Sequence, residues 1–333
     1  MNAALSVNGI PRVSVVVPNY NHAPFLRQRI DSILNQSFQD FELQLLDDAS
    51  TDASSSVFAE YAQHPKVSAV TVNERNSGSP YRQWNRGAHW ARGEYLWIAE
   101  SDDYADLTFL ERMVAVMDAH PNVGVSYCRS FKVDTDSKIF GSTADWTQSL
   151  HATRWETDHV SNGRDECVQY WLRRCIIPNV SSALLRRSVL ERAGYAHDAM
   201  RFCGDYATYV RMLEIADVAY VASPLNYFRF SSTSMRTKMA SAWLHDLERA
   251  QIMAYICRHF SVPPDVSARA AEQFIEQLIR ATLRSPDAAR IYLAGYPKMR
   301  ATLNGFCPHP DAKALATVVN GMRRKVSRFL RSP

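Results

Sequence analysis

The stretch Tyr95-Leu-Trp-Ile-Ala-Glu-Ser-Asp-Asp-Tyr104 decides the fold class, because an apolar run ends directly in three carboxylates. Its first five residues have the length and composition of a buried β-strand. Charge at the end of a buried strand is costly without a partner, and carboxylate oxygens suit hard divalent cations. The preceding Arg92-Gly93-Glu94 is typical of a turn from a helix into a strand. We therefore expect the acidic residues just past the strand's carboxyl end, where open α/β sheets bind ligands.

A second acidic pair supports this interpretation. Asp47 and Asp48 follow another apolar run, Phe41 to Leu46. An isolated pair of aspartates is more often part of a solvated loop. Acidic groups at the ends of two strands instead indicate one site built from neighbouring loops, which we interpret as a metal and phosphate site.

Short apolar runs alternate with helix-like stretches through the first 128 residues. The predicted strands are Val13 to Val17, Phe41 to Leu46, Val67 to Val72, Tyr95 to Ala99 and Val123 to Cys128. The predicted helices are Pro24 to Asn35, Asp52 to Gln63, Tyr81 to Ala91 and Leu107 to His120. This order predicts an α/β fold with a mostly parallel central sheet covered on both faces, for which a nucleotide is the natural ligand. The dinucleotide, Walker, Gly-x-Ser-x-Gly and His-Glu-x-x-His signatures are absent from the sequence.

Three regions are expected along the chain. Residues 1–128 form a nucleotide-binding half, and residues 129–240 form the acceptor-side half of the same domain. The second half is predicted to contain a hairpin from Phe131 to Phe140 and helices near Glu166 to Arg174 and Asp205 to Ile215. Residues 241–333 form a helical C-terminal extension, because helix-like stretches there are separated by prolines.

Composition narrows the classes of protein further. A chain of 333 residues with 46% hydrophobic content supports a packed core. There is no apolar run of about eighteen residues and no signal peptide pattern, so we expect a cytoplasmic protein. The net charge of +4 is too small to indicate nucleic-acid binding. The basic stretch Met322 to Arg331 is either a solvated helix or a peripheral contact with anionic lipid on the inner membrane face.

Four segments in order resemble the family-2 inverting glycosyltransferases of GT-A fold. They are Val13-Ser-Val-Val-Val-Pro-Asn-Tyr-Asn-His22, Gln36-Ser-Phe-Gln-Asp-Phe-Glu42, Leu46-Asp-Asp-Ala-Ser-Thr-Asp52 and Gly93-Glu-Tyr with Ser101-Asp-Asp103. The resemblance covers roughly residues 11 to 235. Asn76 to Gly87 and Trp97 to Asp103 are similar to the subgroup associated with bacterial surface polysaccharides. The resemblance implies a nucleotide-sugar donor and a saccharide acceptor, in this subgroup often linked to a lipid.

The resemblance also implies how the base of the donor is held. Pro18 and Tyr20 cradle the base, with the aromatic ring stacked on it, and Asp48 accepts the imide hydrogen. Uracil and thymine carry that N3 donor and cytosine does not, so UDP- or dTDP-sugars are favoured. Guanine also has an N–H donor and stays open as an alternative.

The acidic stretch corresponds to the family's metal motif. By resemblance, Asp103 ligates Mn²⁺ or Mg²⁺ at the diphosphate, and Asp102 contacts the ribose or a metal-bound water. Glu100 stands where many relatives have Asp, and it is left without an assigned role. Asp205, which opens a predicted helix, matches the family's catalytic base, a carboxylate that accepts the proton of the attacking hydroxyl. Inversion follows from the resemblance alone.

One segment departs from the family pattern. Ser231 stands where relatives often have a histidine near the metal. Either water takes that position, or Arg229 or Arg236 neutralises the diphosphate as a fixed cation. We assign Arg236 to the donor site; the alternative is that both arginines are surface residues. Trp84 stands where many relatives have Arg, and we expect it to pack in the core.

Two other functions stay open at this point. A sugar-phosphate nucleotidyltransferase uses a related sheet but needs a glycine-rich loop after the first strand, and Pro18 to His22 contains no glycine. A non-catalytic domain that binds a nucleotide or a partner protein is suggested by the missing histidine.

Overall fold

A computed structural model describes residues 9–230, 239–282 and 284–304. Its strands are β1 Val13–Asn19, β2 Phe41–Asp47, β3 Val67–Val72, β4 Tyr95–Ile98, β5 Tyr104–Ala105, β6 Val123–Val133, β7 Ile139–Ser142, β8 His159–Ser161, β9 Ala183–Arg186 and β10 Asp217–Arg229. Its helices are α1 Ala23–Leu34, α2 Ser54–Tyr61, α3 Pro80–Trp90, α4 Phe109–Ala119, α5 Ala144–Gln148, α6 Gly163–Glu166, α7 Arg187–Arg192, α8 Gly204–Leu213, α9 Met239–His259, α10 Pro264–Thr282 and α11 Pro286–Asn304. None of these described helices is both long and apolar enough to cross a membrane.

One sheet contains all ten strands. Its order is β3-β2-β1-β4-β9-β6-β10-β5, with β7 paired to β6 and β8 paired to β10. Strands β1 to β4 are mutually parallel where they pair, as the sequence predicts. The short strand β9 runs antiparallel between β4 and β6 and was not predicted. The predicted mostly parallel α/β sheet is therefore confirmed for strands β1 to β4, and the antiparallel strand β9 joins them to the rest.

Burial explains why these segments form strands. Every residue of β1 and β2 is buried, the polar Ser14, Glu42 and Gln44 as well as the apolar majority. Strand β3 lies at the edge of the sheet and alternates between partly buried and exposed residues. The main core cluster packs α1, α2 and α4 against one face of the sheet. On the opposite face, α3 approaches so closely that a Cβ on Gly87 would lie 2.5 Å from the Val16 side chain.

A tight turn before β4 places the acidic stretch. A Cβ on Gly93 would lie 2.6 Å from the backbone nitrogen of Ser14, so the turn needs glycine. The buried carboxylate of Glu42 accepts hydrogen bonds from the Ser14 hydroxyl at 2.7 Å and from the Arg92 guanidinium at 2.6 and 2.9 Å. These contacts tie the turn to β1 and β2 and so define where β4 begins.

The chain divides into two compact units. The first contains residues up to 166, 176–199 and 204 to the end of β10, and thus the whole sheet. The second contains residues 167–175, 200–203 and the C-terminal helices α9, α10 and α11. The helix predicted near Glu166 to Arg174 is present but begins and ends earlier, since α6 is followed directly by the π-helical segment Cys167–Trp171.

Aromatic and buried polar contacts hold the second unit together. The rings of Trp243 and Tyr292 are 5.3 Å apart in a T-shaped arrangement, and Tyr292 donates a hydrogen bond to Asp246 at 2.6 Å. The buried carboxylate of Glu248 accepts the backbone N–H groups of residues 201, 202 and 203. The unit therefore has its own packed interior.

Candidate functional site

Three loops meet at the carboxyl edge of the parallel strands. The register pairs Asn19 at the end of β1 with Asp47 at the end of β2. Strand β4 runs parallel to β1 on its other side. The His22 ring nitrogen lies 2.8 Å from the Ser101 hydroxyl. This contact joins the loop after β1 to the acidic loop after β4, residues 100–103. The sequence-predicted residues of these loops are therefore brought together at one edge.

The base-binding residues differ in their exposure. Pro18 is buried inside β1, while Tyr20 lies just past the strand with 46% of its surface exposed. Asp47 is not available to a ligand, because it accepts hydrogen bonds from Asn19 and from Ser50 at 2.6 Å each. Tyr20 thus presents an aromatic ring at the edge, and Asp47 supports the loop beneath it.

The Asp48 carboxylate, expected to bind the base, already accepts several hydrogen bonds within the protein. Its carboxylate accepts hydrogen bonds from Asn73 at 2.6 Å, from Gln83 at 2.7 Å, and from the hydroxyl and backbone nitrogen of Ser77 at 2.7 to 3.0 Å. A carboxylate offers about four acceptor positions, so these donors fill it. A base imide would have to displace one of them. Asp48 also has a structural role, which is to hold residues 73–83 against the end of β2.

The side chain of Glu100 lies on Trp84. The Trp84 indole N–H donates to the Glu100 carboxylate at 2.9 Å. Burial together with the charges of Asp102 and Asp103 raises the pKa of Glu100 to about 8, although the Trp84 hydrogen bond acts in the opposite direction. Trp84 is buried, as the sequence predicts. Glu100 is therefore largely neutral near pH 7.

Asp102 and Asp103 have opposite surroundings. Asp103 is 1% exposed, and its carboxylate accepts from Asn179 at 2.8 Å, from the Ser181 hydroxyl at 2.6 Å and from the Arg229 backbone nitrogen at 2.9 Å. Burial and the Asp102 charge raise the pKa of Asp103 to about 6. Asp102 is partly exposed, and no hydrogen-bond donor to its carboxylate is found among the described residues. The geometry therefore makes Asp102, and not Asp103, the accessible carboxylate.

The structure supports neither expectation for Arg229, that it neutralises the diphosphate or that it lies on the surface. It is 3% exposed, so it is not a surface residue. Its guanidinium donates to the backbone oxygens of residues 102, 134 and 135 and to the side chains of Gln28 and Ser137. Because its N–H groups already donate to oxygens inside the protein, Arg229 is unsuited to neutralising a diphosphate. Ser231, Arg236 and the basic stretch Met322 to Arg331 lie outside the described residues.

Asp205 is the second residue of α8 and is partly exposed. A Cβ on the preceding Gly204 would lie 2.5 Å from the Tyr81 ring, so glycine allows close packing there. Tyr81 in turn packs edge-on against Trp84, with ring centres 4.9 Å apart. Through these rings the start of α8 is connected to Glu100 and the acidic loop.

Sequence reasoning missed Asn179 and Ser181, whose side chains donate hydrogen bonds to Asp103 in the acidic loop. Asn179 and Ser181 lie more than 70 residues from Asp103 in the chain. Their only signal is a short polar interruption, Asn179 to Ser182, between apolar residues. Within the described ranges, no group of three His, Cys, Asp or Glu side chains could hold a metal. Divalent ions at phosphate sites often use one or two carboxylates plus substrate oxygens, so such a group is not required here.

Comparisons with known proteins point to one family. The family model for glycosyl transferase family 2 matches residues 14–193. Glycosyltransferase GlyG of Streptococcus pneumoniae serotype 4 is 33% identical over 240 residues, covering 71% of this chain and 76% of GlyG. The chain spans 37% or less of the length of three other curated relatives that it matches.

Solved structures show the fold. S. aureus TarS 1–349 in complex with UDP-GlcNAc has a TM-score of 0.63 at 20% identity, covering 89% of this chain and 80% of that one. Mannosyltransferase PcManGT from Pyrobaculum calidifontis, in complex with GDP-Man and Mn²⁺, has a TM-score of 0.57 at 20% identity, covering 96% and 84%.

Proposed function

Because the chain belongs to glycosyl transferase family 2, we propose that it transfers a sugar from a nucleoside-diphosphate donor to a saccharide acceptor, with inversion at the anomeric carbon. Its GT-A fold, expected from the sequence, is shown by the solved structures. The observation that carries the proposal is the meeting of Tyr20, Asp48 and Asp102 at one edge of the sheet. An aromatic ring can stack on the base, a carboxylate can accept the imide hydrogen, and an accessible carboxylate can hold a divalent metal that pairs with the diphosphate.

A UDP- or dTDP-sugar is the proposed donor. The complexes of TarS with UDP-GlcNAc and of PcManGT with GDP-Man support a nucleotide sugar and leave the base open. A carboxylate acceptor at Asp48 favours a base with an N3 hydrogen. Since Asp48 already accepts from residues 73–83, we propose that donor binding exchanges one of those hydrogen bonds for the imide.

The residues present fit a divalent metal, Mn²⁺ or Mg²⁺, held through Asp102. This assignment replaces the expectation for Asp103, because Asp103 is buried and already has three donors whereas Asp102 is partly exposed. When bound, such a metal neutralises charge on the leaving diphosphate. The Mn²⁺ complex of PcManGT supports a metal in this fold. We propose that Asp103 fixes the loop so that Asp102 faces the ligand.

Asp205 is the proposed catalytic base. A single displacement requires a carboxylate on the acceptor side that takes the proton of the attacking hydroxyl. Asp205 is partly exposed at the beginning of α8, and the backbone N–H of Tyr206 donates to it at 2.7 Å. That contact restricts the carboxylate without burying it.

The acceptor is proposed to be a saccharide, linked to a lipid carrier during surface-polysaccharide assembly. Two exposed aromatic rings support a sugar-binding surface on the first unit. Phe140 and Phe230 are 57% and 39% exposed, with ring centres 5.6 Å apart. Amphipathic sugar rings pack on such rings while their hydroxyls remain available for hydrogen bonds. A peripheral membrane contact through the basic C-terminal stretch is part of this proposal and is tested by vesicle sedimentation of full-length and truncated protein.

The test is thermal stabilisation by UDP, dTDP, GDP and CDP, each with and without Mn²⁺. We expect a manganese-dependent rise in the midpoint with UDP or dTDP. Asp102→Asn should lose that rise, and the matched control Asp136→Asn, on an exposed turn, should keep it. Asp205→Asn should keep nucleotide binding and lose sugar transfer. No stabilisation by any nucleotide would refute the donor site, and loss of the metal response in Asp103→Asn alone would restore Asp103 as the ligand.

A further inference from the structure

Arg29 is the largest unexplained feature of the site. It lies in α1 with a fully buried side chain. None of its three guanidinium nitrogens has a hydrogen-bond partner among the residues that the structure describes. A guanidinium carries five N–H donors, and leaving buried donors unpaired is unfavourable. Something other than hydrogen bonding must therefore account for a cation at this position.

The guanidinium lies on the aromatic ring that precedes the acidic loop. Its carbon is 4.8 Å from the centre of the Trp97 ring, a cation–π arrangement that arginine adopts readily. Trp97 donates from its indole nitrogen to the backbone oxygen of Ser181 at 2.8 Å. The Ser181 hydroxyl in turn donates to Asp103. Arg29 is thus linked to Asp103 of the acidic loop through the Trp97 ring and Ser181.

The charges that act on Arg29 are those of the loop. Burial lowers the pKa of Arg29 to about 10, and the charges of Asp103, Glu100 and Asp102 act against that shift. The residue therefore stays cationic at neutral pH. The nearby Arg229 is different, because its guanidinium donates to backbone, amide and hydroxyl oxygens. Arg29 contributes charge to the loop without contributing hydrogen bonds.

We propose that Arg29 is a fixed counter-charge for the acidic loop, and that it sets the balance between attraction of a divalent metal and repulsion of the donor diphosphate. Charges interact strongly across a poorly hydrated layer. A buried cation there weakens the pull of Asp102 and Asp103 on a metal and lessens their repulsion of a phosphate. This inference rests on the proposed function. Arg29 is a positioning residue that acts through the carboxylates.

Two variants separate charge from packing. Arg29→Met keeps an unbranched side chain against Trp97 and removes the charge, while Arg29→Lys keeps the charge. In Arg29→Met we expect Mn²⁺ alone to bind at least about tenfold more tightly, and UDP without metal to bind several-fold more weakly, because one positive charge has been removed. Arg29→Lys should bind both nearly as the wild type does. Free Mn²⁺ measured by electron paramagnetic resonance and UDP titration calorimetry give the two affinities.

The opposite direction of the two changes is the decisive result. A loosened site would weaken both ligands, so changes of the same sign, or no change in a folded variant, overturn the proposal. Should Arg29→Met not fold, the double variant Arg29→Met with Asp103→Asn removes one charge of each sign and keeps an oxygen for the Ser181 hydroxyl. Failure of this pair to restore folding also overturns it.

A stability cycle distinguishes this proposal from the proposed function. If the wild type binds neither Mn²⁺ nor nucleotide, the proposed donor site fails. The unfolding midpoints of Arg29→Met, Asp103→Asn and the double variant still test the counter-charge, because coupled charges give a double variant more stable than the two single losses predict. Additive losses mean that Arg29 and the acidic loop are independent.

Discussion

We predict that Ser181 holds the acidic loop in place through its hydrogen bonds, and Ser181→Ala tests this. Its buried hydroxyl donates to Asp103 at 2.6 Å and accepts the backbone N–H of Glu100 at 3.0 Å. A hydrogen bond to a charged group contributes about 1.5–3 kcal/mol, and a buried donor left unpaired costs about 1–3 kcal/mol. Since the surroundings relax in part, we expect Ser181→Ala to lower the free energy of unfolding by about 2–4 kcal/mol.

Ser126 supplies a matched control in the same sheet. It is equally buried, but its hydroxyl oxygen has no hydrogen-bond partner among the described residues. Ser126→Ala removes no hydrogen bond and takes away a buried unpaired hydroxyl, so it should leave stability unchanged or raise it. The assay is urea unfolding followed by tryptophan fluorescence, together with the manganese-dependent nucleotide response, which should fall in Ser181→Ala only. Equal stability of Ser181→Ala and wild type, or equal losses in both variants, would refute the reasoning.

Two further predictions concern the turn that leads into β4. Gly93→Ala should lower stability by at least about 2 kcal/mol, because its Cβ would meet the β1 backbone at 2.6 Å. Gly141→Ala, whose Cβ would have a flexible Lys132 atom at 3.8 Å, should unfold like the wild type, and a similar loss in both would contradict the steric argument. Hydrogen bonds from Arg92 and Ser14 lower the pKa of Glu42 in spite of its burial, so its ionised form stabilises the fold. The stability difference between wild type and Glu42→Gln should therefore be complete at pH 7. It should shrink as the pH falls below 4.5, the ordinary pKa of a glutamate, and through the lower pKa of Glu42 in the folded protein. Urea unfolding at several pH values measures this difference, and a difference that does not change with pH would argue against the prediction.

Local sequence was sufficient for five strands of the first half, whereas the two-residue strand β5 was not predicted. The predicted strands begin at Val13, Phe41, Val67, Tyr95 and Val123, as observed. Continuous apolar runs bounded by turn residues report burial on both faces, which is a local property of parallel strands. The end of β6 was predicted too early, at Cys128 rather than Val133, because its outer part is only partly buried and mixes polar with apolar residues.

Pairing partners distant in the chain were beyond local reasoning. Strand β9 has four residues, and its place between β4 and β6 depends on contacts with segments about 60 to 90 residues away. The same holds for Asn179 and Ser181, which decide that Asp103 is buried while its neighbour Asp102 is accessible. Adjacent aspartates have the same chemistry in the sequence, so only their surroundings distinguish them.

By itself, the sequence determined the fold class, the family and the edge of the sheet at which the site forms, because these depend on the order and composition of local segments. Only the tertiary structure decided which of two adjacent aspartates is partly exposed, that the Arg229 guanidinium is hydrogen-bonded inside the protein, and that the buried Arg29 guanidinium has no hydrogen-bond partner among the described residues. The physical reason is that burial, hydrogen-bond satisfaction and the field of neighbouring charges are sums over residues that meet only after folding.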